Sequence, residues 1–140
     1  MVREVLLSVR GQQCYGEQEP DTIELVTEGT LEQLDDGWKL RYDESDLTGM
    51  QGVTTTFHVS GNTITLIREG KLNSQMVFEV GVSHDSLYQM EFGVMMLTVC
   101  ATKVEADITT EGGIIDLVYA IEVEKNAAGT IEYHLEMKRK

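Results

Sequence analysis

Alternation of apolar and polar residues is the feature that most constrains how this chain can fold. Short runs rich in Val, Ile, Thr, Tyr and Phe extend from Val2 to Met137, and each run ends at a turn signal. Successive side chains of a β-strand point to opposite faces, so a period of two predicts strands with one buried face. Many such strands in succession predict an antiparallel β-meander, packed as a barrel or as a two-sheet sandwich.

The spacing of the runs predicts about nine or ten strands, and no convincing amphipathic helix accompanies them. The best candidate for a helical turn runs from Ser45 to Met50, which is too short to be more than a connector. A meander of this size must protect its edge strands, and closing the sheet on itself does so. We therefore predict one all-β domain over residues 1–140, an up-and-down meander that closes into a barrel, with the sandwich as the alternative.

Turn signals predict which residues oppose one another across each hairpin. A two-residue loop at Gly61-Asn62 places Thr55 opposite Arg68, so Arg68 lies on the apolar face of its strand. A three-residue loop at 69–71 then brings Leu72 opposite Arg68. The apolar face continues through Ser74, Met76, Phe78, Val80 and Val82. The loop at Asp36-Gly37 places Leu31 opposite Tyr42. The loop at Phe92-Gly93 places Tyr88 opposite Leu97.

The charge of the chain excludes one large class of partners. A net charge of -13 repels the phosphate backbone of nucleic acids and anionic lipid surfaces. The only basic run, 138–140, is typical of a solvated tail. We therefore predict no nucleic-acid binding and no membrane binding, whereas a basic protein partner stays open.

The first residues pass directly into a strand pattern, without the apolar core of a signal peptide or an 18-residue apolar span. This pattern predicts a cytoplasmic protein. Cys14 and Cys100 fit neither a disulfide-dense secreted domain nor a zinc site, so we expect two reduced thiols.

A series of short motifs, in their order along the chain, resembles a known family. The motifs are Tyr42-Asp43-Glu44, Thr55, Arg68-Glu69-Gly70, Met76-Val77-Phe78 with Gly81, Tyr88 with Phe92-Gly93, Thr102, and Gly113-Ile114-Ile115 leading to Tyr119. Their order is similar to that in the YwiB-like family of small bacterial proteins of unknown function. The resemblance covers essentially the whole chain and implies a calycin-type, lipocalin-like β-barrel, but it brings no assigned activity. The Gly-x-Trp of true lipocalins is missing, because Trp38 follows a turn in the third strand.

Arg68 is the strongest candidate for a ligand-binding residue. An inward guanidinium stays charged and needs a carboxylate, a carbonyl or a bound anion as its partner. We expect Tyr42 and Glu44 as its neighbours, and the remaining candidates for the site are Thr55, Phe57, Met76, Tyr88 and Tyr119. The hypothesis is a small apolar or amphipathic anionic ligand inside the barrel. The alternative is that Arg68 reaches the rim and pairs with an acidic side chain, while Met and Phe pack an ordinary core.

Other chemistries have weaker support in the sequence. His58 and His134 alternate with core residues and face solvent, and His84 reads as part of a turn beside Asp85. No metal spacing, nucleophile motif or phosphate loop is present, so we predict no metal, no cofactor and no catalytic residues, and enzyme activity is the least favoured class. The alternative to a binding barrel is an acidic interaction or regulatory module with a basic protein partner or as a homodimer.

Overall fold

The computed structural model describes residues 2–14, 21–44 and 51–140, and in this part of the chain the regular elements are all β-strands. The strands are β1 Val2–Cys14, β2 Asp21–Leu34, β3 Gly37–Asp43, β4 Val53–Ser60, β5 Thr63–Gly70, β6 Ser74–Phe78, β7 Ser83–Met90, β8 Gly93–Thr109, β9 Gly112–Val123 and β10 Asn126–Arg139. The helical turn expected at 45–50 lies outside the described residues.

These strands form a single antiparallel sheet in the order β6-β5-β4-β3-β2-β1-β10-β9-β8-β7. Strands β1 and β10 pair in the middle of the sheet, and the two edge strands, β6 and β7, come together. Asn73 and Gln89 exchange two backbone hydrogen bonds of 2.9 and 2.8 Å where these strands meet. In the connection after β6, the Gly81 N–H donates to the Ala101 carbonyl of β8 at 3.0 Å. The predicted up-and-down barrel of about nine or ten strands is confirmed, and in the described residues it is nearly closed and has ten strands. We call the line of contact between β6 and β7 the seam.

The inward faces of the strands form the core, as the alternation predicts. In β9, Ile115, Leu117 and Tyr119 are buried and alternate with more accessible residues. Each such aliphatic side chain contributes about 1.5–3 kcal/mol when fully buried. The largest fully buried side chains are Phe57, Phe78, Leu7, Leu31, Leu40, Ile64, Leu66, Ile115, Leu117, Leu135, Val5 and Val99. The barrel is therefore held together mainly by its aliphatic lining.

The predicted hairpin registers are correct at one turn and displaced by two residues at three others. Thr55 lies opposite Arg68, as the Gly61-Asn62 turn predicts. Arg68 faces Ser74 across the next hairpin rather than Leu72. In the two other hairpins, Leu31 pairs with Leu40 and Tyr88 with Met95. A shift of two residues keeps every side chain on its predicted face, since strands repeat every second residue.

Gly37 explains one of these displaced registers. The loop of the β2–β3 hairpin is Asp35-Asp36, and Gly37 already belongs to β3, opposite Leu34. An added Cβ at Gly37 would lie 1.7 Å from the carbonyl oxygen of Val59. The glycine therefore serves the close approach of β4 and does not mark a turn position.

Several local expectations were wrong. Val80 and Val82 are 56% and 40% exposed, because β6 ends at Phe78 and the inward alternation ends with it. His84 does not lie in a turn. It lies within β7 opposite Val99, and its Nε2 lies 3.4 Å from Oε1 of Glu79.

Gly29 lies on the inward face of β2 but provides no room inside the barrel. The space above it is occupied, since a Cβ there would lie 2.9 Å from Leu7 Cδ1 and 3.2 Å from Tyr42 Cβ.

His134 lies on the outer face of β10, opposite Asp116 of β9. Its Nδ1 is hydrogen-bonded to the Asp116 carboxylate, and its Nε2 lies 3.1 Å from Oε1 of Glu136. These two hydrogen bonds, the one to Asp116 foremost, raise the pKa of His134 above its usual range. A raised pKa means that the folded protein binds this proton more tightly than the unfolded chain does. The resulting stabilisation is complete below the unfolded-state pKa of about 6.5 and is lost as the pH rises through the folded-state pKa.

We therefore expect His134→Gln to lower the free energy of unfolding more at about pH 5.5 than at about pH 8.5. Asp116→Asn removes the main partner and should abolish most of the same difference. Urea denaturation of the wild type and both variants at the two pH values measures this. An equal loss at both pH values would contradict the argument. The effect is modest because the side chain of His134 is 41% exposed.

Candidate ligand-binding site

The barrel encloses a cavity of about 400 Å³ that opens to one side. This volume lies within the usual range of small-molecule sites, roughly 300–1,000 Å³. Its lining consists of Val9, Gly11, Gln13, Ile23, Leu25, Glu44, Arg68, Met76, Tyr88, Met95, Leu97, Tyr119, Ile121, Ile131 and Tyr133. Most of these side chains are apolar, and one of them, Arg68, is a cation. The cavity thus offers an apolar wall with a small number of polar groups.

Arg68 is brought into the cavity by the inward register of β5. Its Nε atom is buried and has no hydrogen-bond partner among the residues that the structure describes. Burial by itself lowers the pKa of Arg68, but the surrounding Tyr133, Tyr119 and Tyr88 hydroxyls and the Glu44 carboxylate outweigh it and raise this pKa. The guanidinium therefore remains charged inside the barrel. The Nε is buried, whereas Arg68 as a whole is only partly buried, so the alternative placement near the rim stays open.

Two tyrosine hydroxyls form a hydrogen bond beside this charge. The oxygens of Tyr42 and Tyr133 are 2.8 Å apart. Burial, and then the neighbouring Tyr133 and Glu44, raise the pKa of Tyr42, and burial also raises the pKa of Tyr133. Both hydroxyls thus keep their protons at neutral pH. Since one hydrogen bond uses one of the two protons, the other remains available for a further acceptor.

Glu44 supplies a negative charge to the same cavity. Glu44 is buried, and its Oε1 accepts a hydrogen bond of 2.7 Å from the Thr55 hydroxyl. The backbone N–H of Glu44 donates to the Val53 carbonyl at 2.8 Å. The first of these contacts holds the carboxylate and the second holds the backbone of Glu44 against β4. The site therefore contains one partly buried cation and one buried anion among neutral hydroxyls.

The structure brings together most, but not all, of the residues expected at the site. Five line the cavity, namely Arg68, Glu44, Met76, Tyr88 and Tyr119. Tyr42, Thr55 and Phe57 are behind this lining. Tyr42 supports Tyr133 and Thr55 supports Glu44, whereas Phe57 is fully buried with its ring 6.4 Å from Tyr42 and 5.6 Å from Tyr133. These three hold the residues that face the space.

Tyr133 and Gly11 belong to the site but were not among the candidates. Tyr133 lies inward on β10, directly opposite Gly11 of β1. A Cβ added at Gly11 would be 3.8 Å from the Tyr133 ring, which is an ordinary contact. A glycine within the inward stripe of β1 was thus the sequence signal for open space. Tyr133 follows the same alternation as Ile131 and Leu135, which are both buried.

Two further features concern metal sites and membrane-spanning helices. Within 2–14, 21–44 and 51–140, no group of three or more His, Cys, Asp or Glu side chains is arranged to hold a metal ion. No helix in those same ranges has the length and apolarity needed to span a membrane.

Cys14 and Cys100 are free thiols. The β7–β8 hairpin exposes apolar side chains, with Phe92 87% exposed. The basic protein partner stays the alternative prediction.

Comparison with known proteins assigns this architecture to a family. A family model described as a domain of unknown function, DUF1934, matches residues 7–137. The chain belongs to the DUF1934 family. The crystal structure of the YwiB protein from Bacillus subtilis superposes with a TM-score of 0.88 at 21% sequence identity, covering 99% of this chain and 93% of that one. This match confirms the resemblance and the fold of this DUF1934 member. No curated protein matches the chain.

Proposed function

We propose that this DUF1934 protein binds a small amphipathic molecule with an anionic group inside its barrel. The observation that carries the proposal is the Arg68 guanidinium, which lies in a largely apolar cavity with its Nε buried and unpartnered in the described part of the chain. A buried charge is costly unless hydrogen bonds and an opposite charge compensate it. Glu44 already supplies an opposite charge in the same cavity, and a bound anion supplies the hydrogen bond that the Arg68 Nε lacks.

The shape and chemistry of the cavity define the ligand further. At roughly 30 Å³ for each water-sized group, a cavity of about 400 Å³ holds roughly a dozen non-hydrogen atoms. Leu25, Leu97 and Ile131 line it and suit an aliphatic chain. The anionic end lies at Arg68, where the proton left over by the Tyr42–Tyr133 pair is a further donor. A medium-chain fatty acid such as decanoate therefore fits as a probe.

Binding of decanoate and of its neutral analogue decanol tests the proposal. We expect one decanoate per chain by isothermal titration calorimetry, with decanol roughly tenfold weaker or worse, since a hydrogen bond to a charged group contributes about 1.5–3 kcal/mol. Native mass spectrometry of gently purified protein should also show a co-purified small anion. A wild-type protein that binds neither probe and carries no small molecule would overturn the proposal.

Filling the cavity should block binding without unfolding the barrel. Gly11→Leu places a side chain into open space, since a Cβ there makes only ordinary contacts with Tyr133. We expect this variant to lose decanoate binding and to keep or raise its melting temperature, because glycine weakens a strand. Ser8→Leu is the matched control, since Ser8 lies on the exposed face of the same strand. Equal binding by Gly11→Leu and wild type would place the ligand outside this cavity.

A further inference from the structure

We propose that Ser74 acts with Arg68 as the headgroup subsite of the cavity and that this subsite is selective for a carboxylate. The inference rests on the proposed function and adds to it a second binding residue, a position in the barrel and a ligand class. The headgroup is then held where β5 pairs with β6, next to the seam. The cavity lining by itself does not point to this position, because Ser74 is not part of it.

Two unsatisfied buried atoms locate the subsite. Among the described residues, three buried side-chain polar atoms have no hydrogen-bond partner: His58 Nε2, Arg68 Nε and Ser74 Oγ. His58 belongs to β4, where its Nε2 lies 3.6 Å from Asp36 Oδ2. Arg68 and Ser74, in contrast, are direct register partners on the inward face of β5 and β6. Their Cβ atoms are therefore about 5 Å apart, which allows both side chains to reach one acceptor group.

The seam borders these two residues. A groove of about 560 Å³ runs along it, and Arg68, Ser74 and Ser86 are among its lining residues. Arg68 also lines the interior cavity. The guanidinium thus forms part of the wall between cavity and groove. Ser86 donates its hydroxyl proton to the Gln75 carbonyl across the seam, so its hydrogen is already used. Ser74 is the hydroxyl with a proton still to donate.

The donors match a carboxylate better than a phosphate. An N–H of Arg68 and the O–H of Ser74 can each donate to one oxygen of the same carboxylate, and such charge-assisted bonds are the strong ones. A phosphate monoester carries up to two negative charges and several more acceptor oxygens. Glu44 contributes its carboxylate to the same cavity and repels a dianion more than a monoanion. The arrangement therefore favours an amphipathic carboxylate.

The test compares Ser74→Ala with Ser86→Ala in titrations with decanoate, decanol and decyl phosphate. We expect Ser74→Ala to weaken decanoate binding about tenfold and to leave decanol binding unchanged, because only the anion uses the hydroxyl. Ser86→Ala removes a hydroxyl of the same seam whose proton is already donated to the Gln75 carbonyl. The ratio of decanoate to decanol affinity should therefore not change. Wild-type protein should bind decanoate more tightly than decyl phosphate.

A spectroscopic signal reports on the same subsite independently. The Arg68 Nε–H resonance, assigned by its loss in Arg68→Lys, should shift when decanoate is added and should stay in place with decanol. Wild-type decanoate binding that is equal in Ser74→Ala and Ser86→Ala would overturn the subsite and leave the proposed function standing. Tighter binding of decyl phosphate would overturn the carboxylate class. A wild type that binds no probe would remove both proposals together.

Discussion

Arg68→Met should abolish the preference of the protein for decanoate over decanol. The variant keeps a long apolar side chain but removes the one cation that lines the cavity in the described part of the chain. Loss of a charge-assisted hydrogen bond corresponds to about 1.5–3 kcal/mol, or roughly tenfold to a hundredfold in affinity. Calorimetric titration with both probes measures the effect. Arg41→Met is the matched control, since Arg41 is exposed on the outer face of β3 and should bind like the wild type.

Stability measurements separate this loss of binding from unfolding. Arg68→Met removes the positive charge near the buried Glu44 carboxylate, so we expect the variant to be less stable in urea, since an uncompensated buried charge is costly. Adding Glu44→Gln removes the second charge, and the double variant should recover most of the stability while still failing to select decanoate. Replacing a buried ion pair with neutral groups is often neutral or stabilising. A double variant that regains selective binding would contradict the role given to Arg68.

Phe57→Ala should cause the largest loss of stability, about 3–5 kcal/mol. Phe57 is fully buried, and its ring lies near those of Tyr42 and Tyr133. Truncation therefore removes apolar burial and leaves a void beside the hydrogen-bonded tyrosine pair. Equilibrium urea denaturation gives the free energy of unfolding. The control is Phe92→Ala, because Phe92 is 87% exposed and its truncation should change stability by less than about 0.5 kcal/mol.

A second substitution at this position distinguishes packing from a general intolerance of change. Phe57→Leu retains most of the buried apolar surface and should cost clearly less than Phe57→Ala. Similar losses in both variants would show that the aromatic ring itself, through its two ring contacts, dominates the stability of this part of the core.

The inward and outward faces of the strands could be predicted from the sequence. Side chains of a strand point alternately inward and outward, and apolar residues alternate in the sequence with the same period of two. Arg68 was placed inside by counting from the Gly61-Asn62 turn, and the structure has the same pairing with Thr55. Exact hairpin registers were less predictable, because a glycine such as Gly37 can serve a close backbone approach instead of a turn. Such approaches depend on a strand that is distant in the sequence.

The cavity itself could not be predicted from the alternation, which says where side chains point but not how completely they fill the interior. Two glycines show the difference. Gly29 faces space that Leu7 and Tyr42 occupy, whereas Gly11 borders the open cavity. Which outcome occurs depends on the sizes of residues on neighbouring strands and on the barrel's three-dimensional shape. For the same reason Tyr42 was expected to face the site but does not line the cavity.

The order of the strands has a consequence for the motions of the barrel. The pairing of β1 with β10, from Val5 opposite Arg139 to Cys14 opposite Thr130, joins segments that are far apart in the sequence. The seam, in contrast, joins strands that follow one another along the chain through the short connection at 79–82. Few backbone hydrogen bonds cross it, and the two edges remain tethered when they part. Local opening along the seam is therefore the least costly fluctuation of the sheet, and the short tether makes reclosure fast.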